Sequence, residues 1–187
     1  MAGTFDVAVV VGSLRKASFT RMAAKAAIEA APAALKCKFV EIGDLPLYNE
    51  DLDSNPPAPW THFRQQIADC QAVLFLTPEY NRSIPGVLKN AIDVGSRPGG
   101  KSVWNSKPAG VISITPYKLG ALGANHAVRQ ALVFLNVPVM QQPEAYLSEA
   151  ASLFDEAGAL KNDETRKFLV KFMSAFEQWV AKLATPW

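Results

Sequence analysis

Val7-Ala8-Val9-Val10-Val11 is a run of apolar, mostly β-branched residues that ends at Gly12 and opens into Ser13-Leu14-Arg15-Lys16-Ala17-Ser18-Phe19-Thr20. An alanine-rich segment with helical spacing follows from Phe19 to Ala30. A strand that is apolar on both faces suits a parallel sheet, because crossover helices cover such a sheet on each side. The loop past its carboxyl end then lies at the rim where open α/β sheets hold their ligands.

That loop is dense in donors: the hydroxyls of Ser13, Ser18 and Thr20, the guanidinium of Arg15, and the backbone N–H groups at the helix start. The first four N–H groups of a helix have no partner within it, and its N-terminus carries about half a positive charge, so these parts suit a phosphate. Ser18 or Thr20 acting only as the helix cap is the other reading, and the loop alone leaves both open. Neither G-x-G-x-x-G nor G-x-x-x-x-G-K-[ST] is present, which argues against an ordinary dinucleotide site or a P-loop.

The pattern recurs twice. Ala72–Leu76 runs into Thr77-Pro78-Glu79-Tyr80-Asn81-Arg82-Ser83-Ile84-Pro85-Gly86, ahead of a helix over 87–94. Ala109–Ile114 runs into Thr115-Pro116-Tyr117-Lys118-Leu119-Gly120-Ala121-Leu122-Gly123, ahead of a helix over 123–135. Between the first helix and the second buried strand lie an alternating outer strand at 36–42, a proline-punctuated connection and a helix over 59–68. Pro138-Val139-Met140 begins a short last strand, and 163–182 forms a final helix with a core face of Phe168, Phe172, Phe176 and Val180. The expectation is a three-layer α/β sandwich of flavodoxin-like type over residues 1–187, one domain with a five-stranded parallel sheet in the order 2-1-3-4-5 and five helices.

In that order the first, third and fourth strands carry their loops to one switch point. An anion site over 13–20, a wall from Pro78 to Arg82 and polar donors around Thr115 together describe a mononucleotide such as FMN. Pro78 and Pro85 stiffen the wall, or else they only end the strand and start the helix.

Composition narrows the partners. The 187 residues, 49% hydrophobic and 19% charged, suffice for one full core. With a net charge of +2 and its 19 cations scattered, the chain gives no reason to expect nucleic acid or an anionic membrane. No apolar run approaches the roughly 20 residues that span a bilayer. The first six residues enter the first strand without a basic leader or cleavage site, so a cytoplasmic protein is expected. Cys37 and Cys70 lie in unrelated contexts, and His62 and His126 add no ligand spacing, so reduced structural thiols and no metal site are expected.

Four stretches carry a family likeness: Gly12-Ser13-Leu14-Arg15-Lys16-x-Ser18-Phe19, then Thr77-Pro78-Glu79-Tyr80-Asn81-x-Ser83-x-Pro85-Gly86-x-Leu88-Lys89-Asn90-Ala91-Ile92-Asp93, then Lys107-Pro108, and last Arg129-Gln130-x-Leu132. From about residue 6 to 145 the chain resembles the NADPH-dependent FMN reductase family, most of all its chromate and quinone reductase branch. The resemblance implies that Ser13, Arg15, Ser18, Phe19 and Thr20 hold the FMN phosphate. It implies that Pro78, Glu79, Tyr80, Asn81 and Arg82 flank the isoalloxazine, and that Thr115 contacts the ring or ribityl side. Thr20 stands where the family usually has Asn, and Thr115-Pro116-Tyr117-Lys118 replaces a shorter serine- and glycine-rich loop.

The implied activity is oxidation of NADH or NADPH and reduction of a small-molecule acceptor, a quinone or an oxidised metal anion such as chromate, by ping-pong hydride transfer. The cofactor carries that chemistry, and no side chain is nominated as acid or base. Arg82, Arg97, Tyr117 and Lys118 are the candidates for contact with acceptor or nucleotide; a solvated surface is the other reading of the three cations. The resemblance further implies a homodimer or homotetramer, with Arg97 reaching a neighbour's flavin and His126 pairing with Glu144 across the border. Two rivals are a flavodoxin-type electron carrier, a class that tends to be strongly acidic, and a regulatory module that binds another phosphorylated ligand.

Overall fold

The computed structural model describes residues 3–183; Met1 and Ala2, read above as leading into the first strand, lie outside them. The elements run β1 (Phe5–Val11), α1 (Phe19–Glu29), β2 (Leu35–Val40), α2 (Ala58–Ala68), β3 (Ala72–Thr77), α3 (Gly86–Ser96), β4 (Ala109–Ile114), α4 (Leu122–Phe134), β5 (Ala145–Leu147), α5 (Ala150–Leu153) and α6 (Asp163–Leu183). All strand pairs are parallel and the order is β2-β1-β3-β4-β5, as expected.

Alternation along the buried strands sends side chains to two cores. Val7, Val9 and Val11 meet Ala23, Ala27, Phe172 and Phe176 of α1 and α6, whereas Ala8 and Val10 face Trp60, Phe63, Leu88 and Trp104 on the other side. Each strand side chain fills one layer, which is why the continuous apolar runs are central. On α6, Phe172, Phe176 and Val180 are buried as read from the sequence, while Phe168 is only partly so.

The proline-punctuated connection after β2 is tied down by a buried amide. Asn90 of α3 accepts the Tyr48 N–H at 2.8 Å and donates to the carbonyls of Leu45 and Pro46 at 3.2 and 3.1 Å. All of its amide atoms are thereby satisfied, as a buried polar group requires.

The outer edge differs from the sequence reading. Val139 makes only an isolated bridge to Ala109, and the edge strand proper is Ala145–Leu147, opposite Ile112–Ile114. Met140 does donate to the Ala109 carbonyl at 2.8 Å, so pairing starts there. It then lapses over residues 141–143, where Pro143 brings no N–H to the ladder, and resumes at Ala145. A short α5 and a single 3-10 turn at Glu50–Leu52 also add to the expected five helices.

Both thiols are held protonated. Burial pushes Cys37 up to about 11, and burial likewise raises Cys70, which is 1% exposed and donates to the Gln66 carbonyl at 3.3 Å. Because the thiolate is the reactive form, roughly one Cys37 in a thousand is available at pH 8. An aromatic disulfide reagent at pH 8 should therefore titrate neither thiol quickly until denaturant is added; two fast equivalents from the folded protein would contradict this placement.

Candidate functional site

One cleft of about 420 Å³ opens at the carboxyl end of the sheet. It falls within the range of small-ligand sites. Its walls come from the loops after β1, β3 and β4, and they include Ser13, Arg15, Ser18, Phe19, Thr20, Pro78, Glu79, Tyr80, Asn81, Arg82, Thr115 and Tyr117. Turns far apart along the chain thus meet at one place.

At the first loop the Ser18 hydroxyl accepts the Arg21 N–H at 3.2 Å and caps α1. A hydroxyl that accepts still has a proton to donate, so capping and facing the cleft are compatible. Thr20 is only 2% exposed, yet its hydroxyl has no hydrogen-bond partner among the described residues. Arg15 is exposed and likewise unpaired among them. A hydroxyl and a guanidinium left open on a cleft wall are free to bond a guest.

The second loop is a tight two-residue turn. Tyr80 and Ser83 exchange backbone hydrogen bonds at 3.2 and 3.0 Å, and between them Asn81 and Arg82 have φ of 51° and 64°. Positive φ at both central positions is the type I′ pattern, which Asn accepts readily and Arg does not. The N–H groups of Asn81 and Arg82 have no partner among the described residues.

Glu79 fastens this turn. Its side chain is 11% exposed; one carboxylate oxygen accepts the Arg82 guanidinium at 2.9 Å and the other accepts the Ala124 N–H at 3.1 Å. Helix α4 is preceded by its N-cap Ala121, which lies in the left-handed region with φ 58° and supplies no capping side chain. Glu79 therefore satisfies an otherwise unpaired donor of α4 from 45 residues away. Gly123 permits this approach, since a Cβ there would sit 2.7 Å from the Arg82 carbonyl oxygen and 2.9 Å from Glu79.

The third loop is anchored below by buried Ser113, which donates to the Gly120 carbonyl at 2.6 Å and accepts from Asn125 of α4 at 3.1 Å. Thr115 faces the cleft with a hydroxyl that accepts the Tyr117 N–H at 3.3 Å, and its own N–H is taken by the Leu147 carbonyl at 3.0 Å. Tyr80, Tyr117 and Leu119, 53, 77 and 59% exposed, form the rim.

Two sequence candidates stay outside the cleft. Lys118 does not line it, and its carbonyl accepts the Ser148 hydroxyl at 2.7 Å. Arg97 follows the far end of the 11-residue α3. That helix is about 16 Å long, and the charge of Arg97 is felt by Tyr48 instead. His126 and Glu144 meet within one chain through a third residue: the Tyr146 hydroxyl donates to Glu144 at 2.8 Å and lies 3.0 Å from His126 Nε2. Its single proton goes to the carboxylate, so His126 Nε2 carries the other one. Burial, then the bond to Glu144, pushes the Tyr146 phenol up to about 12.

Ile114, Pro116, Leu119 and Ala121 also line the cleft and were not singled out from sequence. Their signal was positional, since all belong to or adjoin the loop after β4. The clamp by Glu79 had a fainter one: a helix that starts within Gly120-Ala121-Leu122-Gly123 lacks a capping side chain, and its free N–H groups need an acceptor from elsewhere.

The model of the NADPH-dependent FMN reductase family matches residues 5–152. The chain belongs to that family. As a member of the NADPH-dependent FMN reductases it is an oxidoreductase that works with FMN and a reduced nicotinamide nucleotide. It is 60% identical over 181 residues to a quinone reductase of Pseudomonas putida, covering 96% of this chain and 97% of that one. It is 45% identical over 174 residues to a 2-hydroxy-1,4-benzoquinone reductase of a Burkholderia species, covering 93% and 95%. The solved structure of FerB, a flavoenzyme NAD(P)H:(acceptor) oxidoreductase from Paracoccus denitrificans, superimposes with a TM-score of 0.90 at 39% identity and covers 96% of this chain and 99% of its own. Among the described residues no helix is long and apolar enough to cross a membrane.

The residues present fit the cofactor of the FMN reductases. Unpaired Arg15, the open hydroxyl of Thr20 and the start of α1 gather at one end, where a dianion needs them. Apolar Pro78, Ile114 and Pro116 and the free N–H groups of Asn81 and Arg82 border the rest, as a flat ring with polar edges requires.

Proposed function

We propose that this chain is an FMN-bearing NAD(P)H:quinone reductase with ping-pong turnover, and that chromate and other oxidised metal anions are further acceptors. The observation that carries the reading is the convergence of three distant loops on one cleft, with cationic and hydroxyl donors at one end and an aromatic rim. FMN held here would supply the redox chemistry, passing the two electrons of a nicotinamide hydride to the acceptor, with the second proton of a hydroquinone coming from water.

In this reading Ser13, Arg15, Ser18, Thr20 and the α1 N-terminus hold the phosphate, with Phe19 beside them. Pro78, Glu79, Tyr80, Asn81 and Arg82 form the wall along the ring, opposite Thr115. The Asn81 and Arg82 N–H groups, without partners among the described residues, would donate to a ring that gains negative charge on reduction, as donors of an oxyanion hole do. The Thr115 N–H is not available for this, being committed to Leu147. Tyr80 and Tyr117 at the mouth offer flat surfaces to a nicotinamide or a quinone, and both partners enter by that mouth, which supports alternate binding.

Purified protein loaded with FMN should oxidise NAD(P)H steadily with a neutral quinone, giving parallel double-reciprocal lines. A yellow protein without turnover would favour a carrier, and one that takes up no FMN would remove the reading. The proposal includes a homodimer or homotetramer; Val133 and Phe134 at the end of α4, 74 and 84% exposed, offer apolar surface for it, and a monomeric mass in sedimentation would remove that part.

A further inference from the structure

Arg82 would be expected to make the acceptor end of the cleft attractive to anions, but its charge is not free. The guanidinium, 73% exposed, lies 2.9 Å from the carboxylate of Glu79, which is 11% exposed. The same carboxylate faces the start of α4 through Ala124. A helix N-terminus contributes about half a positive charge, so Glu79, Arg82 and α4 together present roughly half a positive charge and not one and a half.

We propose that Glu79 is a specificity-determining residue: it neutralises Arg82 and thereby biases this cleft toward neutral quinones over anionic acceptors. The inference rests on the reading of the cleft as the FMN and acceptor site. The geometry suits the role. Glu79 is locked from two sides, by the α4 backbone and by the Asn81–Arg82 turn, so its charge stays in place while Arg82 remains at the mouth. A carboxylate that served only to cap α4 would need one oxygen; the second is used on Arg82.

The two charges can be removed one at a time, with opposite expected signs. Glu79→Gln keeps an oxygen for the Ala124 N–H and frees the guanidinium. Arg82→Gln leaves the carboxylate without its counter-ion. The quantity to measure is the ratio of kcat/KM for a sulfonated naphthoquinone to that for its unsubstituted parent, because changes common to both acceptors cancel in it. The ratio should rise about three- to fivefold in Glu79→Gln and fall by a similar factor in Arg82→Gln, the size expected of a pair with one exposed partner. A second readout needs no turnover: the dissociation constant of redox-inert naphthalene-2-sulfonate, followed by the flavin absorbance of the loaded protein, should tighten in Glu79→Gln and weaken in Arg82→Gln.

Ratios that stay put, or that move in the same direction in both variants, would overturn the inference and leave Glu79 as a structural cap. Wild-type protein that binds FMN and reduces quinones while the ratios fail to move defeats this inference alone. Wild-type protein that takes up no FMN defeats the underlying reading as well.

Discussion

Replacing Arg15 with alanine should weaken FMN binding ten- to hundredfold, read from the quenching of flavin fluorescence as protein is titrated in. A hydrogen bond between a cation and an anion contributes about 1.5–3 kcal/mol, and 1.4 kcal/mol is a factor of ten. Arg15 has no protein partner among the described residues, so its removal breaks nothing in the fold and the loss is one of binding. Thr20→Val, which deletes a neutral donor from the same end of the cleft, should cost less, about three- to tenfold. Lys16, next to Arg15 but off the cleft wall, serves as the control, and its alanine variant should bind FMN normally. Equal effects at Lys16 and Arg15 would reduce the site to a diffuse positive field, and an unchanged affinity in Arg15→Ala would place the phosphate elsewhere.

The prediction can be this specific because the loop after β1 was readable without coordinates. A buried strand, an abrupt change to hydroxyls and cations, and a helix start are local features, and the parallel-sheet rule converts them into a position at the rim. The same logic located the strands β3 and β4, whose short apolar runs each end at a proline-bearing loop. It failed at the edge. Pro138-Val139-Met140 looks like a strand because it is apolar, yet pairing lapses over 141–143 and the paired segment is Ala145–Leu147, one side of which carries Tyr146 and its polar partners. Edge pairing depends on which carbonyls of β4 are still free, and no local pattern reports that.

Which residues meet in the cleft was legible, but the bonds between them were not. Glu79 and Arg82 read from sequence as two groups beside a ring, one of them a free cation. Their mutual bond, and the use of Glu79 by α4, arise from a turn with two left-handed residues and from a helix start 45 residues later. Likewise His126 and Glu144 read as partners, whereas Tyr146 stands between them. Such relations depend on side-chain direction in three dimensions, which spacing along the chain does not encode.

Gly120→Ala should destabilise the protein by about 2–4 kcal/mol, a fall in melting temperature of roughly 5–15 °C for a chain of this size. Two effects add. The residue has φ 56°, a left-handed conformation that costs a residue with a side chain about 1 kcal/mol. The new methyl would also lie 2.6 Å from the Tyr146 Cβ and 2.9–3.0 Å from its backbone. The clash is the larger effect, because Tyr146 cannot retreat: it is paired with Ser113 in the sheet, and its hydroxyl is held by Glu144 and His126. The Gly120 carbonyl in turn accepts from Ser113, so any shift loosens the third loop of the cleft where it joins α4. FMN affinity should therefore fall along with stability, although residue 120 does not line the cleft. Gly86→Ala gives the contrast: its Cβ would meet nothing within 4 Å at the start of α3, so the melting temperature should hold or rise slightly. If Gly120→Ala melted like Gly86→Ala, the β5 edge would have to be free to move away, and the cleft could not owe its third wall to it.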